Sequence, residues 1–226
     1  MKILAACEES QALTIELRKL GHEAYSCDIL PCSGNHPEWH LQQDVIPLLK
    51  EKWDMIIAFP PCTYLSNAGA VRLYPEKGKL NQERYNKGLA AKEFFMQFYN
   101  ADCPRIAIEN PVSSLIFNMP LCTQEIQPYM FGHPFSKKTR LWLKGLPNLK
   151  PTNIAVPLQP YCPAGTSRKK RDKYGAAKRG NDRVNRSKTF PGVAKAMAEQ
   201  WTKPQTGQLE FDFTPPGTAT SIAGDY

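Results

Sequence analysis

Short apolar runs that stop in proline or a polar residue recur along the chain, and stretches of helical period separate them. Lys2 to Ala6 is the first such run. Ser10 to Leu20 follows, with Leu13, Leu17 and Leu20 spaced as one face of a helix. Ser10 is suited to cap that helix and Gly21 to follow its end. Glu23 to Cys27 reads as a second strand that ends at Asp28, and Gln42, Gln43 and Asp44 precede a short helical stretch. Met55 to Phe59 is wholly apolar and is bounded by Pro60 and Pro61, the signature of a buried parallel strand. Arg105 to Ile108 is a further strand, beyond a long helix around residues 82–100. This alternation predicts an α/β fold with a doubly wound, mostly parallel sheet.

Two of these strands end in groups that can do chemistry. Pro60 and Pro61 stop the hydrogen-bond ladder and stiffen the backbone just past a strand, and Cys62 follows at once. The carboxyl edge of an open α/β sheet is where ligands bind. Arg105 to Pro111 repeats the arrangement with Glu109, Asn110 and Pro111. A thiol and a carboxyl at one edge suit covalent addition to a ring that must accept a proton. Each residue also has a plainer reading: a small buried cysteine for Cys62, and a helix cap or ion pair for Glu109.

Pro-Pro-Cys followed by Glu-Asn-Pro, both after strands, resembles the DNA cytosine-5 methyltransferases, which carry Pro-Cys at the nucleophile and Glu-Asn-Val at the carboxylate. Pro111 stands here in place of the valine. The resemblance implies a Rossmann-like class I methyltransferase fold, catalytic roles for Cys62 and Glu109, and S-adenosyl-L-methionine as cofactor. Asp28 matches the family's acidic residue that binds the cofactor ribose, and Asp44 the later one that contacts the adenine. Cys7, Glu8 and Pro60 fall at the other cofactor positions. The family's Phe-x-Gly-x-Gly turn is replaced by a stretch from Leu4 to Ser10 without glycine. Before the last strand the family has Gln-x-Arg-x-Arg; aligned on that strand, Ser136 replaces the Gln, Lys138 the first Arg, and Arg140 matches the second. Pro191-Gly192-Val193-Ala194 looks like the motif that opens a helix closing the cofactor pocket.

Charge sharpens the choice of partner. The net charge is +8, and Arg168 to Lys188 alone carries ten cations against Asp172 and Asp182. Arg168, Lys169, Lys170, Arg171, Lys178 and Arg179 are the candidate DNA contacts, since basic loops grip phosphates without reading bases. The plainer reading of the run is a solvated loop. In the family the corresponding interval holds a large target-recognition domain, so readout here is expected to be short or lax, as in orphan enzymes of phages. A modifier of free pyrimidine nucleotides and an inactive DNA-binding relative stay open as alternatives.

The 226 residues, 42% hydrophobic, suit one catalytic domain over residues 1–201 with a basic insertion near 163–190. Residues 202–226 read as a disordered tail. Within it, Gln208 to Phe213 looks like the peptides that hook into bacterial sliding clamps, or else packs back on the domain. Seven cysteines without paired spacing argue against a disulfide framework; there is no Cys-x-x-Cys, and His36 and His40, four apart, have Pro37 between them, which argues against a helical ligand pair and a metal site. No apolar run is long enough to span a bilayer, and a cytoplasmic protein without membrane partners is expected.

Overall fold

The structure is a computed structural model, and it describes residues 1–156, 159–160 and 188–203. The chain runs β1 (Lys2–Ala6), α1 (Ala12–Lys19), β2 (Glu23–Asp28), β3 (His40–Gln42), β4 (Met55–Ala58), α2 (Gln82–Tyr99), β5 (Ile106–Pro111), β6 (Gln124–Ile126), β7 (Phe135–Ser136), β8 (Thr139–Lys144), β9 (Gln159–Pro160) and α3 (Pro191–Thr202). Seven strands form one sheet in the order β3-β2-β1-β4-β5-β8-β6. The first five are parallel; β8 runs antiparallel between β5 and β6. β7 and β9 make a separate two-stranded pair. The sheet is therefore doubly wound and mostly parallel, and its order reverses between β1 and β4, the switch point at which such sheets bind ligands.

Strands β1, β4 and β5 are apolar at successive positions because both faces are covered. One face carries Ile3, Ala5, Met55, Ile57 and Ala107, packed under Leu13 and Leu17 of α1 and Ala194, Met197 and Trp201 of α3. The other carries Leu4, Ala6, Ile56, Ala58, Ile106 and Ile108, packed under Phe95 and Phe98 of α2. α2 starts with a local cap, the Asn81 side chain accepting from Arg84 N at 2.9 Å. Gly88 of α2 lies against the Phe117 ring, where any side chain would collide with it.

Three local details differ from the sequence expectation. α1 begins at Ala12 after Gln11, which takes a left-handed backbone (φ 57°), so Ser10 does not cap it. β4 stops one residue short of Phe59, and β5 runs past Ile108 to include Glu109, Asn110 and Pro111. The strand expected after the segment from Ser136 to Arg140 begins inside it, at Thr139.

Candidate active site

Register brings four strand ends into one row. Ala6 pairs with Cys27 on β2 and with Ala58 on β4, and Ala58 pairs with Ile108 on β5. The next residues along these strands are Cys7, Asp28, Phe59 and Glu109. Three positions past Phe59 stands Cys62, and the turn that carries it is pinned from β5. Asn110 Nδ2 donates to the Pro60 carbonyl at 3.0 Å in a buried contact. The Cys62 carbonyl accepts from Leu65 N (3.1 Å) and Ser66 N (2.9 Å). The segment beyond is stitched to the chain after Glu109 by Asn67 N to Val112 O and Ser114 N to Leu65 O, both 2.8 Å. The two motifs are thus one rigid unit.

Electrostatics tie Cys62, Glu109 and Lys137 together. Burial raises the Cys62 thiol above the usual cysteine range, the Glu109 charge raises it further, and Lys137 opposes both. Burial likewise pushes Glu109 up, against Lys137 and a hydrogen bond with the Thr139 side chain. A carboxyl so shifted can hold a proton and donate it. Glu109, Lys137 and Thr139 share a small recess with Ile126, Pro128 and Phe190. Beside it lies a cavity of about 250 Å³ lined by Ser10, Ala12, Ser33 and Pro191, and Lys188, Thr189 and Phe190 line both. The residues opening α3 therefore form the wall between the two.

The structure separates the two cations drawn from the sequence from this cluster. Lys138 Nζ and Arg140 Nε lie 3.0 and 2.9 Å from the two Glu125 carboxylate oxygens, on the other side of β8. Along a strand, successive side chains point to opposite faces. Glu109 pairs with Leu141, so Thr139 shares its face while Arg140 does not; Lys137 and Lys138 precede the strand, and it is the Lys137 charge that acts on Glu109. Lys137 and Asn110 join the candidate residues here; the sequence reading gave neither of them a role.

Of the cofactor candidates, Cys7 sits in the left-handed region (φ 59°), making a turn that glycine makes without strain. Burial together with the charges of Asp28 and Asp44 pushes its thiol far up, so Cys7 stays neutral. Asp28 Oδ1 accepts from Leu30 N at 2.9 Å, which leaves further acceptor capacity on the carboxylate. Asp44 is exposed, and its Oδ1 accepts from Ile46 N at 3.0 Å. Pro60 is buried and held by Asn110. Glu8 is used differently: Oε1 accepts from Leu13 N (2.6 Å), and Oε2 from Thr14 N (3.2 Å) and Thr14 Oγ1 (2.7 Å). Its carboxyl caps α1 from inside the protein and is not offered to a cofactor. None of these five residues lines the two cavities above. Arg168, Lys169, Lys170, Arg171, Lys178 and Arg179, and the tail peptide from Gln208 to Phe213, lie outside the described residues. Among the described residues no group of three His, Cys, Asp or Glu side chains is arranged to hold a metal, and no helix is long and apolar enough to cross a membrane.

No family model and no curated protein matches the chain. Among solved structures it is similar to an E. coli prophage-encoded protein described as a DNA modification methyltransferase, at 14% identity and a TM-score of 0.41, over 68% of this chain and 51% of that one. It is also similar to a mutant of Spodoptera frugiperda DNMT2, at 16% identity and a TM-score of 0.36, over 71% of this chain and 55% of that one. The chain thus matches about half the length of these structures. The strand order and directions described above, not these likenesses, carry the fold: it is the Rossmann-like class I methyltransferase fold that the motifs implied.

Proposed function

We propose that this chain methylates carbon 5 of cytosine in DNA, using S-adenosyl-L-methionine and a covalent Cys62 adduct. The observation that carries the reading is the convergence of Cys62, Glu109 and Lys137 on the carboxyl edge of the sheet, beside a recess shared with Thr139 and Phe190. The finer points, cytosine and its carbon 5, rest on the two catalytic motifs and on this chemistry.

The first βα turn fits the cofactor. In a dinucleotide fold the pyrophosphate takes the N–H groups at the start of this helix. Here Glu8 already occupies them. A phosphate-bearing cofactor does not suit that turn, whereas S-adenosyl-L-methionine has no phosphate. Asp28 would hold its ribose and Asp44 its adenine amino group, with the Cys7 and Pro60 segments alongside. Bound there, the cofactor supplies an electrophilic methyl group.

The chain's own residues do the rest. The Cys62 thiol gives up its proton to solvent and the thiolate adds to C6 of the ring. Glu109 passes its proton to N3 as charge develops there. C5, now enamine-like, takes the methyl group. Lys137 would steady the negative charge that thiolate addition puts on the ring before N3 takes its proton. The C5 proton then leaves to a water-borne base, the Cys62 thiolate is expelled, and N3 returns its proton to Glu109. A base inside a duplex cannot reach Cys62, so it must be turned out of the stack or be unpaired already. The basic segment from Arg168 to Lys188 supplies phosphate contacts in this reading.

DNA carrying 5-fluorocytosine tests the mechanism, because fluorine at C5 cannot leave as a cation. Wild-type protein with cofactor should form a denaturation-resistant adduct, and Cys62→Ala should form none while binding cofactor within a few fold of wild type. Cofactor binding without any adduct would overturn the covalent mechanism.

A further inference from the structure

We propose that Arg84 of α2 is a positioning residue for Cys62: it clamps the turn that carries the thiol and so fixes the thiol's line of approach to the ring. The proposal rests on the covalent cytosine-5 reading above. Asn110 holds this turn from β5, through the Pro60 carbonyl. Arg84 holds it from α2. Its Nη2 donates to the carbonyl of Thr63, the residue after Cys62, at 2.9 Å. The same guanidinium lies over the Tyr64 ring, 5.1 Å from its centroid. One side chain thus grips the two residues that follow the nucleophile.

The grip is built into the local fold. Arg84 stands in the first turn of α2, and its N–H is the one that the Asn81 side chain caps, so the root of the side chain is fixed. Its Nε is shut off from solvent. The head group fits because residue 69 is glycine: a Cβ there would stand 2.6–2.8 Å class-close, at 2.7 Å from Nη2, and 3.1 Å from the Thr63 carbonyl. Gly69 belongs to the 3₁₀ segment Asn67–Arg72 that follows the Cys62 turn, and its N–H donates to Ser66 O at 3.0 Å. The chain on both sides of Tyr64 therefore closes round the guanidinium. Bonding a carbonyl and stacking on a ring at once needs the planar fork that lysine lacks.

The contribution is one of geometry. The charges that act on the Cys62 thiol are those of Glu109 and Lys137. Around the thiol, the Pro60 carbonyl is held by Asn110, the Cys62 carbonyl by Leu65 N and Ser66 N, and the Thr63 carbonyl by Arg84. Releasing the last of these frees the turn on one side, and a shift of about 1 Å at a nucleophile costs of order 10²-fold. The same release uncovers a thiol that is now partly buried.

The test uses two readouts, adduct formation with 5-fluorocytosine DNA and alkylation of each cysteine by iodoacetamide, read by peptide mass. Arg84→Met should form adduct about tenfold or more slowly, with cofactor affinity within about twofold of wild type and the pH profile unmoved. Its Cys62 should alkylate about threefold or more faster, while the buried Cys27 and Cys103 stay as slow as in wild type. Arg84→Lys should recover part of the adduct rate. Gly69→Ala, which displaces the guanidinium, should reproduce the loss and add little in the Arg84→Met background. An unchanged adduct rate in Arg84→Met would overturn the proposal. So would alkylation that rises equally at Cys27 and Cys103, because Arg84 would then serve general stability. If wild type forms no adduct, the cytosine-5 reading falls, and alkylation alone decides the clamp: a rise confined to Cys62 upholds it and no rise removes it.

Discussion

Replacing Glu8 with glutamine should change how stability depends on pH, by an amount that follows from the site. Glu8 is 3% exposed, and burial pushes its carboxyl up to about 7 against the hydrogen bonds from Leu13 and Thr14. An unfolded glutamate titrates near 4.5. The folded value is raised, so the folded state binds the proton more tightly. Its contribution is fully present below about pH 4.5 and is lost as pH rises toward 7. At 1.36 kcal/mol per pKa unit this amounts to about 3 kcal/mol in all, most of which falls between pH 5 and pH 8. Glu8→Gln removes the titrating group and keeps an oxygen to accept from Leu13 N. Urea unfolding of both proteins at pH 5 and pH 8 gives the double difference, which cancels every other titrating group. The variant should gain about 2–3 kcal/mol on wild type between the two pH values. A double difference near zero would mean that Glu8 titrates as an exposed carboxyl, and that the start of α1 remains available to a ligand.

Two substitutions probe the catalytic cluster. Lys137 lowers both the Cys62 thiol and the Glu109 carboxyl, so Lys137→Met should move both limbs of the pH profile of adduct formation upward, while Lys138→Met moves neither; an unmoved profile in Lys137→Met would remove it from the site. Asn110→Ala leaves the buried Pro60 carbonyl without its donor, which should cost about 1–3 kcal/mol in urea unfolding. Because Cys62 lies two residues beyond Pro60, single-turnover kinetics should show a loss of order 10²-fold from a shift of about 1 Å, with cofactor affinity little changed; normal turnover in a destabilised variant would confine Asn110 to a structural role.

The parts of the fold legible in the sequence are those whose signal is local. β1, β4 and β5 are buried on both faces, so their apolar runs stand out, and Pro60 and Pro61 mark an end no strand can pass. α2 was legible as one long stretch between two apolar runs. The start of α1 was not, because its cap comes from Glu8, four residues before the helix, while the nearer Ser10 makes no cap. β3 and β6 have three residues each and β7 and β9 two, too few to show a period.

The cation of the site shows the limit most clearly. Lys137 and Lys138 are adjacent, and both precede β8, which begins at Thr139. Leu141, Trp142 and Leu143 are apolar in succession because β8 is an inner strand, so alternation there cannot say which of the preceding residues point toward Glu109. The deciding facts are both pairings: Glu109 lies opposite Leu141, and Arg140 lies opposite Glu125. Glu125 sits on the three-residue β6, which the sequence does not mark. Once that strand is in place, a carboxylate on it captures Lys138 and Arg140, while the charge of Lys137 acts on Cys62 and Glu109. In the proposed reading the motif supplies the chemistry, a cation beside a cysteine and a carboxyl, and the pairing of Glu125 with Lys138 and Arg140 decides which lysine provides it.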